Sequence, residues 1–330
     1  MSASRLWKGA LYCFIAAVAW GAMFPIAESA LHHLDPFWFS TIRYVSVSAL
    51  LIFLLLWKEG RQAFRAEGRF FLLWMSGTFA FTVYNFGIFW GQKELGKSGV
   101  LLASIMESFM PMLAVLIVWA VTRKRPRMIT LGCVIAAFIG VLFVVTKGDL
   151  GMFSSGEFKP IPLLAIFIAV VGWVIYTISC GQFKGWSALR ISTLTCVYGS
   201  ATSLIVVLIL SAFDQIQAPA VSELTVVWPE MSFMIFIAGL LALLCWLKGI
   251  ELLTPVNGML FINFVPATTF IISIIQGYQV SAAEILGTVI ITCALIVDNV
   301  ASRRAQSNLQ ATIHEKKSKT PSRSSVAQHT

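Results

Sequence analysis

Apolar residues in this chain come in long uninterrupted blocks, not in the short alternations of a soluble amphipathic fold. A helix needs about 20 apolar residues to cross the hydrocarbon core of a bilayer. Ten blocks of that length lie at roughly 9–30, 37–57, 70–91, 98–122, 128–146, 161–181, 190–213, 231–250, 255–276 and 282–301. The pattern predicts an all-α membrane protein of ten transmembrane helices with short loops. The first block is too long for the apolar region of a secretory signal, and no small-residue cleavage site introduces a soluble domain after it. Residues 302–330 are polar, basic and rich in Ser and Thr, which reads as a disordered tail.

Charge sets an orientation. With residues 1–8 on the cytoplasmic side, the basic residues at 5 and 8, at 58–69, at 123–127, at 184, 190 and 248, and in the tail are all cytoplasmic. That places 19 of the 24 Lys and Arg inside, against Lys93, Lys97, Lys147 and Lys159 outside and Arg43 within a helix. Such a bias is the usual sign of topology. We therefore expect an integral protein of the bacterial inner membrane with both termini cytoplasmic. The charged fraction of 12% is half that of a soluble domain, about 25%. The net charge of +9 could suggest nucleic acid, but the basic residues cluster at helix ends and in the tail, so the expected partner is the lipid bilayer. The six cysteines all fall inside apolar runs and read as small apolar fillers.

The two halves repeat. Pro111 is followed 21 residues later by Gly132, and Pro266 by Gly287 at the same spacing; Trp20 lies 91 residues before Pro111, and Trp173 lies 93 before Pro266. Each half, 9–146 and 161–301, holds five helices. An odd number forces the second repeat to be inverted, an architecture of secondary transporters that places the substrate site near the midplane.

The order of these features resembles the EamA-type members of the drug/metabolite transporter superfamily. The resemblance rests on Ala19-Trp20-Gly21, Arg43-Tyr44, Pro111 and a closing Leu131-Gly132 in the first half. In the second it rests on Gly172-Trp173, Tyr198, Pro266 and Leu286-Gly287. It implies a transporter, possessing no cofactor, of a small-molecule substrate. The family spans amino-acid and metabolite exporters, drug exporters and sugar-nucleotide carriers. The stretch from Leu95 to Pro111 departs from the repeat, being about three residues longer than that from Leu253 to Pro266.

Residues 91–98 match the letters of a phosphate-binding P-loop, yet that motif works between a strand and a helix, and here it joins two membrane helices. Intramembrane charges carry more weight because they are expensive. Arg43 reads either as a strut paired with Glu107 or backbone carbonyls, or as a substrate contact; Glu107 reads as its partner, a substrate contact or a proton carrier. Asn85 and Asn263 line a cavity or bond a neighbouring helix. Trp20, Trp173 and Tyr176 pack the core or stack on substrate, and Ser46 is expected to face the cavity. Gly132, Ala136 and Gly140, and Gly87 with Gly91, form small-residue stripes that predict close helix packing. Glu28, Lys248, Glu251, Glu284 and Asp298 are expected near helix ends. His32, His33 and Asp35 are too crowded to serve as a metal site. Motifs for a membrane enzyme are missing, and a receptor or scaffold would have no use for inverted repeats. The expected function is gradient-driven or facilitative transport, with export of amino acids or related amphipathic compounds, by a monomer or homodimer.

Overall fold

The computed structural model describes residues 3–149, except 124 and 126, and 159–301, except 295, 299 and 300. The expected tail, 302–330, lies outside them. The described residues form helices joined by short loops, with no strand among them. Helices α1 (Ala3–Leu31), α2 (Pro36–Lys58), α3 (Phe70–Glu94), α4 (Lys97–Glu107), α5 (Met110–Thr122) and α6 (Met128–Thr146) form the first half. Helices α7 (Pro160–Cys180), α8 (Ala188–Ala212), α9 (Trp228–Leu253), α10 (Asn257–Ile275) and α11 (282–294) form the second. Among the described residues, eight helices are long and apolar enough to cross a bilayer, and α4 with α5, bent by 48° at their break, meets the same criteria as a pair. The tenth expected span, 282–301, is helical at 282–294 and again at 296–298.

The breaks have local causes. A proline inside a helix removes one donor and clashes with the carbonyl four residues back. Pro111 sits in the first turn of α5, so the helix breaks after Glu107, its residue i−4. The matching Pro266 follows a 3-10 stretch at Leu260–Asn263. Pro25 lies inside α1 and takes away the donor that would serve Gly21; the Thr269 hydroxyl on α10 donates to that freed carbonyl at 2.8 Å. At the entry to α2, Asp35 accepts from the backbone N–H of Phe37 and Trp38 at 2.9 and 3.2 Å, so it is a helix cap.

Helix directions follow from which residues meet. Helix α1 runs antiparallel to α9, where Gly9 meets Leu253, Gly249 meets Cys13 and Trp20 reaches Ala238. Helix α3 runs antiparallel to α7, with Gly87 against Ala165 and Gly172 against Phe79. Helix α2 runs antiparallel to α8 through Thr41–Ser203 and Ser48–Ser200 hydroxyl pairs at 2.5 and 2.9 Å. Helix α3 is parallel to α8, since Phe70 meets Tyr198 and Trp74 meets Thr202. Helix α2 is parallel to α9, since Arg43 meets Met234 and Val47 meets Gly239. Swapping the halves exchanges α1–α9 with α3–α7 and α3–α8 with α2–α9, and leaves α2–α8 as it is. The path α7–α3–α8–α2–α9–α1 crosses three antiparallel packings and two parallel ones, so α7 runs opposite to α1. The two halves are inverted relative to one another.

Small residues set the closest approaches. The Gly87–Gly91 stripe packs on α7, where an added Cβ would lie 2.6 Å from the Ala165 carbonyl or 2.8 Å from that of Pro162. On α6 the expectation needs correction: Gly140 presses on Gly287 of α11, whereas Gly132 faces open space with nothing within 4 Å. Helices α6 and α11 meet again at Thr130 and Asp298, so Gly132 and Ala136 line an open apolar groove beside the seam and not its contact face. Gly77 of α3 and Gly199 of α8 form a crossing in which each would place a Cβ within 2.2 Å of the other helix's backbone.

The P-loop letters fall on a helix–turn–helix. Residues 91–94 end α3, and the Leu95 and Gly96 N–H groups bond the Gly91 and Lys93 carbonyls, both at 3.1 Å. Those donors are spent on the helix end. The side chain of Lys97 lies outside the described residues. Glu284 and Asp298 do lie near helix ends, but both are buried: Glu284 accepts from the Tyr278 hydroxyl at 2.7 Å and Asp298 from the Thr130 hydroxyl at 2.6 Å.

Candidate functional site

The two repeat-related tryptophans meet at the interface between the halves. The Trp20 and Trp173 rings stand edge to face at 5.2 Å. Trp246 of α9 adds a ring 5.3 Å from Trp20, and Tyr84 and Tyr176 lie 5.0 and 5.2 Å from Trp173. The pairs are at distances where edge-to-face contact contributes beyond burial. Beside them Trp20, Met23, Arg43, Tyr44, Tyr84, Glu107, Trp173 and Ile262 enclose a small cavity. Its free volume is about 10 Å³, roughly enough for one water.

Arg43 is wholly buried. Its Nε donates to the Met234 carbonyl and its Nη2 to the Ala238 carbonyl, both at 3.0 Å. These carbonyls are available because α9 widens into a π-helical stretch at Phe233–Leu241, which displaces carbonyls from the ordinary ladder. The Trp20 indole also donates to Ala238, at 3.0 Å. Nη1 has weaker company, the Asn85 Oδ1 at 3.4 Å and the Met23 sulfur at 3.8 Å, and the guanidinium lies 4.6 Å from the Tyr44 ring centre. Asn85 is itself fixed by donating to the Ala80 carbonyl at 2.9 Å, within a second π stretch at Thr78–Val83 of α3. Of the readings open for Arg43, anchoring on backbone carbonyls is what the geometry shows; it forms no ion pair with Glu107.

Glu107 sits at the α4–α5 break and is 1% exposed. The Tyr84 hydroxyl donates to its Oε1, while its Oε2 is buried with no hydrogen-bond partner. The matching residue of the second repeat, by the 155-residue offset between Pro111 and Pro266, is Ile262. Both line the cavity, so the repeats supply one carboxylate between them. Leaving a buried acceptor unpaired costs about 1–3 kcal/mol, which marks Oε2 as a group awaiting a donor.

Other expected residues stand apart. Tyr176 is fully buried in the aromatic cluster but does not line the cavity. Asn263 adjoins Ile262 and keeps a buried, unpaired Oδ1, yet it is outside the lining. Ser46 is also outside it, contrary to expectation. The helical rise turns Ser46 away from the side of α2 that carries Tyr44 and Ser48, and Ser48 is the serine that bonds across to α8. Sequence reasoning missed Tyr84 and Met23, which lack any periodic signature. It could have found Ile262 from the repeat offset.

At one end of the bundle the loops of the two halves are tied. Glu67 accepts from Arg190 Nη2 at 2.6 Å and from the Trp186 indole at 3.0 Å, and Arg190 stacks 3.7 Å over the Trp186 ring. The hydrogen bond from Arg190 holds the Glu67 carboxyl below its ordinary range.

Inverted repeats with polar groups buried at their junction are an architecture found in many secondary transporters. The chain belongs to the EamA-like transporter family, which it matches twice, over residues 7–146 and 160–299. It is 43% identical over 304 residues to "Uncharacterized transporter YrdR" of Bacillus subtilis (strain 168), covering 92% of this chain and 95% of that one. It is 28% identical to "Uncharacterized transporter YyaM" of the same organism, covering 84% and 88%. A solved crystal structure shares the fold with a TM-score of 0.62 at 20% identity, over 90% of this chain and 98% of its own.

Proposed function

We propose that this transporter is a secondary carrier, gradient-driven or facilitative, that exports amino acids or related amphipathic compounds. It works in the bacterial inner membrane with both termini cytoplasmic, as a monomer or homodimer. The orientation rests on the distribution of Lys and Arg. The substrate reading rests on one observation, an unpaired Oε2 on Glu107, which lines the same cavity as Arg43. A zwitterion supplies what both groups lack. Its ammonium donates to Glu107, and its carboxylate accepts from the loosely held Nη1 of Arg43. Trp20, Trp173 and Tyr84 then receive an apolar or aromatic body. Arg43 keeps its two carbonyl bonds throughout, so it orients substrate without itself moving.

The cavity as it stands is too small for an amino acid. Admission requires the α1–α9 and α3–α7 pairs to separate on one side of the Trp20–Trp173 contact at a time. The test is a thermal-stabilisation screen on the purified protein with neutral amino acids, nucleosides and cationic drugs. The reading expects neutral amino acids to raise the melting point in wild type and to lose that effect in Glu107→Gln. Stabilisation by cationic drugs alone, unaffected by Glu107→Gln, would sink it.

A further inference from the structure

A larger cavity, of about 660 Å³, opens at the end of the bundle that carries the Glu67–Arg190 tie. It lies between the end of α7, the α7–α8 loop, the start of α8 and the end of α9. Its walls are apolar and aromatic, from Phe183, Trp186, Ile191, Leu247 and Ile250, and its floor includes Cys180. Lys248 and Glu251 stand at its mouth as an exposed pair 2.8 Å apart. The volume falls in the range of small-molecule pockets, about 300–1,000 Å³.

Three buried polar atoms beside this cavity lack partners: the Thr177 hydroxyl, the Ser192 hydroxyl and the Trp246 indole N–H. Each is within one helical turn of a wall residue, namely Cys180, Ile191 and Leu247. Buried polar groups are nearly always satisfied, so a row of orphans between a cavity and the central site marks a route that water or a ligand occupies. Trp246 closes that route, because it follows the wall on one side and packs on Trp20 on the other. At the opposite end another pocket approaches the central site, at a distance like the one that separates Cys180 from Trp173 along α7, about 10 Å. The pocket lined by Gln92 and Glu28 is eight residues from Tyr84 along α3, about 12 Å at 1.5 Å per residue, with Ile88 and Phe89 fully buried between.

We propose that this cavity is the cytoplasmic vestibule of the transport path, a first docking site for an amphipathic molecule, with Trp246 as the single-layer gate between it and the central cavity. The assignment of the side rests on the orientation proposed above; the route itself does not. An amphipathic ligand fits because its charged head meets Lys248 and Glu251 while its body lies on Trp186, Phe183 and Leu247.

The experiment uses the full-length protein in sealed vesicles of both orientations and a charged, membrane-impermeant methanethiosulfonate as probe. One version keeps only Cys180 and another keeps only Cys196, which is fully buried between α2 and α8. Access governs thiol reactivity, so Cys180 should react at least about tenfold faster than Cys196, and only from the face bearing the carboxy terminus. A third version carries Met23→Cys, in the central cavity, without native cysteines. It should resist the probe when Trp246 is present and react from that same face in Trp246→Ala or Trp246→Leu, whichever retains the wild-type elution profile. Equal rates for Cys180 and Cys196, or exposure of Met23→Cys from the opposite face, would overturn the proposal. These readouts need no substrate. Labelling as expected with no transport of any amino acid would therefore count against the proposed function and for the vestibule.

Discussion

The Gly77–Gly199 crossing gives the sharpest stability prediction. A methyl group on Gly199 would lie 2.2 Å from the Gly77 carbonyl oxygen and 2.8 Å from the Phe81 Cβ. Backbone cannot swing aside as a side chain does, so α3 and α8 must part by about 1 Å, an overpacking that costs about 1–3 kcal/mol. The separation also stretches the Thr82 bond to the Gly199 carbonyl, now 2.9 Å, and the Trp74–Thr202 and Thr78–Thr202 bonds, now 3.0 Å each. Interhelical bonds of this kind contribute about 0.6 kcal/mol each in a membrane. The sum is about 3–5 kcal/mol, against a helix-propensity gain of about 0.5–1 kcal/mol for Gly→Ala. The control is Gly132→Ala, where the methyl meets nothing and only the gain remains. In a detergent melting assay Gly199→Ala should fall by roughly 3–10 °C, while Gly132→Ala stays level or rises. Equal melting points for the two variants would refute the packing argument.

Three further outcomes follow from other parts of the molecule. Thr269→Val strands the Gly21 carbonyl that Pro25 left free, and should lower the melting point by an amount equivalent to about 1 kcal/mol; no change would mean water replaces the hydroxyl. Because its pairing lowers the Glu67 pKa, the tie to Arg190 should be complete above the ordinary carboxylate value and lost as pH falls through the lowered one. Melting curves of wild type and Glu67→Gln should therefore differ by a steady gap above the ordinary carboxylate range and converge only as pH falls below it, and a gap unchanged in strong acid would contradict this. Reporter fusions after Ser211 and after Arg303 should report outside and inside; the same side for both would overturn the alternation of spans.

Much of the frame was legible because hydropathy states it directly. The blocks at 37–57 and 190–213 became α2 and α8 with ends shifted by a few residues, since loops and helix ends obey capping more than hydropathy. The inversion was legible as an odd helix count per repeat, and the packing directions bear it out. The convergence of Trp20, Trp173, Arg43, Asn85 and Glu107 was legible only as a set of costly residues at similar depth. What binds them was not. The carbonyls of Met234 and Ala238 that hold Arg43 come from a π-helical widening, which leaves no mark in residue identity. Ser46 failed because one position on a helix is 100° of rotation. Gly132 failed because a small-residue stripe does not say which of its positions meet the neighbouring helix and which line the groove beside it. Gly199 could have been found, since Thr195, Gly199 and Ser203 make a small-residue stripe of the same kind.

The central claim is that the Arg43–Glu107 cavity at the junction of the inverted repeats carries the substrate. Its most direct test is counterflow of radiolabelled leucine and phenylalanine into proteoliposomes holding wild type or Glu107→Gln, each checked for an unchanged elution profile. The account predicts counterflow by wild type of at least one of the two and a loss of about tenfold or more in Glu107→Gln, the scale of one charge-assisted hydrogen bond. Wild-type counterflow that Glu107→Gln leaves untouched would place the substrate elsewhere and contradict it.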